Sequence, residues 1–259
     1  MSLIFASMCN PVHKHKIPGA VGAGDLQQWE RIDILDLWRS VCVWMMLLYH
    51  LLWDLSHFEL LPASLPLHPV LRAYALMGAG GFILLSGLCA PLCRSWVRTG
   101  LALLAAAAAV RAVSSLAGQS VLFGALHLLG CCRLLYGLLR RQLSPLLCRE
   151  GAPLLCLGLF AAAGWLCART RVPVLWLYPL GLRAPDFSSA DYFPLLPWGF
   201  LFLCGAGLNG CLESPRLAPL LRRHFSPALT FCGRHSLAIY LLHQPVLYAL
   251  CLGISRLRA

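Results

Sequence analysis

The stretch "LWRSVCVWMMLLYHLLWDLSHF", residues 37–58, decides how the whole chain is read. From Val41 to Leu48 it is wholly apolar. Yet the same helix-length run holds Arg39 near its start and His50 and Asp54 near its end. About 20 apolar residues are needed to cross a bilayer as a helix, with roughly 17 as the lower limit. The run meets that limit, so Arg39, His50 and Asp54 need a reason to be there.

Working outward, six further runs meet the same criterion. Together the expected spans are 37–55, 73–92, 99–117, 121–139, 152–168, 194–212 and 236–254. The composition agrees. The 259 residues are 59% hydrophobic and only 12% charged, with mean hydropathy +0.72, against about 25% charged in a soluble domain. The expected fold class is therefore all-α, a polytopic integral membrane bundle of about seven helices. Residues 1–30 read as a cytoplasmic N-terminal tail, and 31–259 as one transmembrane domain. "MSLIFASMCN" has no basic region ahead of its short apolar run, so no signal peptide is expected.

The net charge of +11 does not point to nucleic acid, because the basic residues fall in short groups between apolar runs. A cytoplasmic N-terminus puts Lys14, Lys16, Arg31, Arg39, Arg94, Arg98, Arg140, Arg141, Arg149, Arg216, Arg222, Arg223 and Arg234 inside. It leaves Arg72, Arg169, Arg171, Arg183, Arg256 and Arg258 outside, with Arg111 and Arg133 within spans. That asymmetry follows the positive-inside rule and gives a multi-pass cell-membrane protein, N-terminus in and C-terminus out. The thirteen cysteines form no CxxC pair, so they read as small packing residues and no metal is expected.

An ionisable group in hydrocarbon costs about 2.5–3.5 kcal/mol on insertion scales, so each is a candidate for function. Arg39 and His50 are eleven residues apart and return to nearly the same helix face; His50 and Asp54 are an i,i+4 pair. A carboxylate beside an imidazole suits a general base. Snorkelling of Arg39 and placement of Asp54 among headgroups are the plainer alternatives. His127 in "VLFGALHLLG" opens the fourth span on the same expected outer side. Asp191 and Tyr192 in "SSADYFPLLPW" precede the sixth, where capping and interfacial anchoring are the plainer readings. These groups are expected to converge on one outer pocket. At the other face, Arg234 and His235 in "CGRHSLAIYLLHQPV" sit at a helix start, a setting suited to phosphate. His243 and Gln244 lie two to three turns deeper as candidate substrate contacts, and Pro245 should kink the helix after them. Gly78, Gly80, Gly81 and Gly87 read as close-packing residues. No P-loop, GxSxG elbow, HExxH or dinucleotide fingerprint is present.

The segments "RIDILDLWRSVCVWMMLLYHLLWDL", "GGFILLSG", "VLFGALHLLG", "DYFPLLPWGF" and "GRHSLAIYLLHQPVL" occur in order between residues 31 and 250. Together they resemble the bacterial branch of the heparan-alpha-glucosaminide N-acetyltransferase catalytic-domain family. The Arg-to-His spacing of the first span is also similar to the acyltransferase-3 family of membrane O-acyltransferases. The resemblance implies an enzyme moving acetyl from cytosolic acetyl-CoA to an amine or hydroxyl of a glycan or other small acceptor outside. It implies functional roles for Arg39 and His50, and it places His68 roughly where the heparan enzyme has its active histidine. The base is thus His50 or His68. The family's usual glycine after the first-span arginine is Ser40 here. Arg39, Arg234 and His235 would hold the CoA phosphates; Arg39 and His50 are about 16 Å apart at helical rise, comparable with a pantetheine arm. The expected partners are the lipid bilayer, acetyl-CoA and the acceptor, with room for a homo-oligomer and no nucleic acid. A multi-pass transporter or proton-coupled permease, using the His and Asp groups as a relay, is the alternative; the absence of matched internal repeats counts against it.

Overall fold

Seven apolar runs become seven helices, one of them short. The computed structural model describes residues 32–93, 95–116, 118 and 121–258. The expected tail 1–30, with Lys14 and Lys16, and also Arg31 and Arg94, lie outside the described residues. The long helices are α1 Asp33–His57, α2 Pro69–Leu88 and α3 Trp96–Leu116. The short α4, Ala125–Leu138, and the eight-residue α5, Arg140–Leu147, follow. Next come α6 Ala152–Arg169, α7 Leu195–Gly207 and α8 Ala218–Leu221. The chain ends with α9 Pro227–Arg234 and α10 Ser236–Arg258, the last continuing through Pro245. Among the described residues six helices are long and apolar enough to cross a membrane, α7 being counted with its 3-10 extension to Glu213. The fold is an all-α polytopic bundle, as expected.

The burial pattern shows which solvent these helices meet. Trp44, Leu154 and Leu242 are well exposed, while Asp36, Arg39, Asp54 and Arg133 are buried. A soluble protein would reverse that order. Lipid accepts the apolar exterior, and the polar groups turn inward because hydrocarbon offers them no partner.

The chain forms two compact units. One runs from Ile83 to Leu221; the other joins Ile32–Phe82 to the chain from Arg222 onward. In the first unit α6 packs along α7, and α3 along α4. Phe202, Leu103 and Leu128 are fully buried among them. Gly87 in α2 and Gly205 in α7 let two backbones touch: a Cβ on Gly87 would strike the Phe202 carbonyl, and one on Gly205 the Leu84 carbonyl. In the second unit α9 and α10 both pack on α1. Gly78 and Gly81 of α2 lie against the Met45 and Cys42 side chains of α1. Most cysteines are buried and all of those described are free thiols.

The fourth expected span, 121–139, is a helix only from Ala125. Its first residues are taken by the loop before α7. Leu122 donates its N–H to Ser189 Oγ at 3.1 Å, Phe193 donates to the Phe123 carbonyl at 2.9 Å, and Phe123 bridges Tyr192. Those backbone bonds hold 121–123 extended.

Candidate active site

The second unit carries two polar clusters, both on α1. The first is at its N-terminal end. Asp33 and Asp36 stand in the first turn, where a helix dipole favours carboxylates. Arg39, three residues beyond Asp36, ion-pairs with it, and both are buried. Arg234, at the end of α9, donates Nη2 to Asp33 at 3.0 Å and lies 3.6 Å from Asp36 through Nε. Asp33 also accepts from the Phe225 N–H at 3.2 Å and sits 3.5 Å from His224 Nδ1. The two helices can come this close because residue 233 is glycine: a Cβ there would collide with the Asp36 carbonyl. Ser40, buried, accepts the Gly233 N–H at 2.8 Å. Arg39 and Arg234, expected to hold donor phosphates, are thus both engaged by carboxylates. His235 is exposed, its Nδ1 donating to the Phe231 carbonyl at 3.0 Å.

The second cluster lies three to four turns further along α1. His50 Nδ1 is 2.9 Å from the Met46 carbonyl, and His243 Nδ1, on α10, is 2.7 Å from the Tyr240 carbonyl. A carbonyl oxygen can only accept, so in each ring Nδ1 carries the proton. In a ring so held, Nε2 is the nitrogen left to act as a base. The two rings meet edge to face with centroids 4.8 Å apart. His243 is nine-tenths buried, and its Nε2 has no hydrogen-bond partner among the described residues.

Asp54, the expected partner of His50, bonds elsewhere. Gln244 Nε2 donates to its two carboxylate oxygens at 2.9 and 3.2 Å. That bond fixes the amide, so Oε1 points away from the carboxylate, and it too is buried without a partner. His243 and Gln244 therefore face His50 and Asp54 across the α1–α10 contact, and two buried acceptor atoms stand unused. The buried hydroxyl of Ser56, two residues beyond Asp54, is a third unpartnered polar atom. Native proteins leave few such atoms, and those that remain ask for an explanation.

His68 lies outside this cluster. It is exposed at the end of a 3-10 turn, and its Nδ1 accepts the Val70 N–H at 3.3 Å at the start of α2. In the first unit, Asp191 Oδ2 accepts the Ala125 N–H at 3.1 Å and so caps α4, not the α7 helix that follows it. His127 Nδ1 accepts the Gly124 N–H at 3.3 Å, and its ring stacks on Phe123 at 5.5 Å. Tyr192 donates its hydroxyl to the Tyr178 carbonyl at 2.7 Å. These three form a joint between the 188–193 loop and the start of α4.

The sequence reading gives no role to Asp33, Asp36 or Ser40. The Asp33, Asp36, Arg39 spacing of three was the available signal, since such residues stack on one helix face. Arg133, buried within α4, was seen only as a charge inside a span. Among the described residues no group of three or more His, Cys, Asp or Glu side chains could hold a metal.

The family model for "Heparan-alpha-glucosaminide N-acetyltransferase, catalytic" matches residues 31–245, which take in every residue of both α1 clusters. No curated protein and no solved structure matches the chain. A match over that much of the chain settles the family: this protein belongs to the heparan-alpha-glucosaminide N-acetyltransferase catalytic-domain family, a family of membrane transferases.

Proposed function

We propose that this protein moves an acetyl group from acetyl-CoA, bound from the cytoplasm, to an amine or hydroxyl of a glycan or other small acceptor on the extracytoplasmic side. The N-terminus is then cytoplasmic, and the His50 end of α1 faces the acceptor. One observation carries the reading: two histidines in apolar helices, each with Nδ1 committed to a carbonyl and Nε2 left as a base. An imidazole held that way can take a proton but has no proton of its own to give from Nε2 until it has done so.

His50 is the base in this reading, because its ring is less buried than that of His243. Its Nε2 takes the proton of the acceptor N–H or O–H as that atom attacks the thioester carbonyl. The carbon–sulfur bond breaks, and the imidazolium returns the proton to the CoA thiolate. Asp54 and Gln244 act as a pair, the amide holding the carboxylate where it offsets the charge that builds on His50. At the donor end Arg234, a third exposed, has N–H donors left over for a phosphate, and His235 stands beside it in the chain. Arg39, at 6% exposure, serves as the brace that holds Asp36.

Labelled acetyl-CoA and an amino-sugar acceptor, given to the purified protein in detergent, test this directly. Transfer should vanish in His50→Ala while donor binding persists. Loss of transfer in His68→Ala with His50→Ala still active would move the base to the loop before α2. For sidedness, a single cysteine at position 140, on a cysteine-free background, should be labelled only from the cytoplasm.

A further inference from the structure

The loop from Thr170 to Phe193, between α6 and α7, takes no part in the transfer proposed above, yet it holds an arrangement that a free-standing protein should avoid. Arg171 and Arg183 form an isolated parallel bridge, with the Val172 N–H donating to the Arg183 carbonyl at 3.2 Å. Bridge partners project side by side, and like charges in that position repel. Among the described residues no carboxylate lies within ion-pair distance of either guanidinium.

Both guanidiniums bear on the same neighbour. Arg183 lies over the Tyr192 ring, 5.8 Å from its centroid, and both arginines act electrostatically on the Tyr192 phenol. That phenol offers no counter-charge. Burial pushes its pKa up to about 12 despite the two cations, so it is neutral at any working pH. Its proton is given to the Tyr178 carbonyl, which leaves the oxygen as an acceptor. The loop also exposes Trp176 and Leu180, and Arg169 stacks on Trp165 at 4.3 Å. Exposed aromatic and arginine side chains at the ends of apolar helices mark the headgroup layer.

We propose that Arg171 and Arg183 form a binding site for a phosphate-type oxyanion at the membrane surface. Arginines at paired backbone positions, both acting on Tyr192, can present forked N–H donors to one tetrahedral anion, a task in which arginine surpasses lysine. An anion between them turns the repulsion of the bridge into two charge-assisted contacts. Its source is either a lipid headgroup or a free phosphate group.

The full chain in an uncharged detergent tests this by thermal unfolding. One arm adds inorganic phosphate at constant ionic strength; the other adds short-chain phosphatidylglycerol. A ligand that binds only the folded state raises the melting temperature in a saturable way. The expected result is such a rise in at least one arm, with apparent affinity about tenfold weaker in Arg171→Gln and in Arg183→Gln. Arg149→Gln, an exposed arginine elsewhere, should respond as the parent does. A response in the phosphate arm assigns the site to a free phosphate group, and one in the lipid arm alone assigns it to a headgroup; either supports the site. With no anion present, Arg171→Gln should be at least as stable as the parent, since one of two repelling charges is gone. No response in the parent, an equal response in all variants, or a loss of stability in anion-free Arg171→Gln would each overturn the proposal.

Discussion

The two ends of α1 carry similar side chains and spend them differently. Near Asp33 the charges are matched. Asp33 and Asp36 meet Arg39 and Arg234, with Ser40 and the Phe225 N–H filling in around them. Three to four turns beyond Arg39, the side-chain hydrogen bonds among His50, Asp54, His243 and Gln244 are the two from the Gln244 amide to the Asp54 carboxylate, and His243 Nε2 and Gln244 Oε1 stay buried and unused among the described residues. A saturated cluster contributes rigidity and specificity of pairing; an unsaturated one costs stability and is kept where a ligand completes it. The first end braces α9 against α1, and the second is the reacting end in the function proposed above. Substitutions at the two ends should therefore separate loss of turnover from loss of stability.

The largest effect is expected at His50. General-base contributions run to about 10²–10⁴-fold, so His50→Ala should lower turnover by at least that range with little change in thermal unfolding. A fall in melting temperature as large as the fall in rate would erase the distinction between the ends. Next comes Asp36→Ala, which strips Arg39 of the carboxylate beside it. Breaking a buried ion pair from one side costs about 3–5 kcal/mol. The loss should appear in unfolding, while protein that stays folded keeps its transfer rate. Asp54→Asn should act in the opposite sense and less completely than His50→Ala, lowering turnover through the lost charge while Gln244 keeps a partner.

Much of this was legible in the sequence, and the rest was not for a physical reason. Apolar runs depend only on local sequence, so the fold class and every span but the fourth, which begins as a helix only at Ala125, could be read directly. His50 and Asp54 stood out because charge in lipid is costly wherever it lies. Their bonding was hidden. Asp54 reaches Gln244 across 190 residues of chain, and periodicity says nothing about which helix will pack on α1. The i,i+4 spacing made His50 the obvious partner for Asp54, but in the helix His50 turns its Nδ1 back to the Met46 carbonyl instead. Asp191 shows the same limit. A carboxylate ahead of a helix reads as that helix's cap, yet it caps α4, 66 residues back in the chain. Local rules identify a group that needs a partner; tertiary packing chooses the partner.

Ser40 is the smallest test and the one that probes the brace most finely. It follows Arg39 in α1, and its hydroxyl accepts the Gly233 N–H at 2.8 Å in a buried setting. Gly233 approaches α1 so closely that a Cβ would meet the Asp36 carbonyl, so the serine adds a side-chain contact to a joint already set by backbone packing. Removing one buried neutral hydrogen bond costs about 1 kcal/mol. Ser40→Ala should therefore lower stability by about that amount and leave turnover and donor affinity unchanged. Ser40→Gly should lose about twice as much, because glycine inside a helix costs a further ~1 kcal/mol relative to alanine. Thermal unfolding and transfer assays on the same preparations would read both. If Ser40→Ala instead lowers turnover tenfold at unchanged stability, the Asp33 end takes part in the reaction. The division between a bracing end and a reacting end of α1 would then fail.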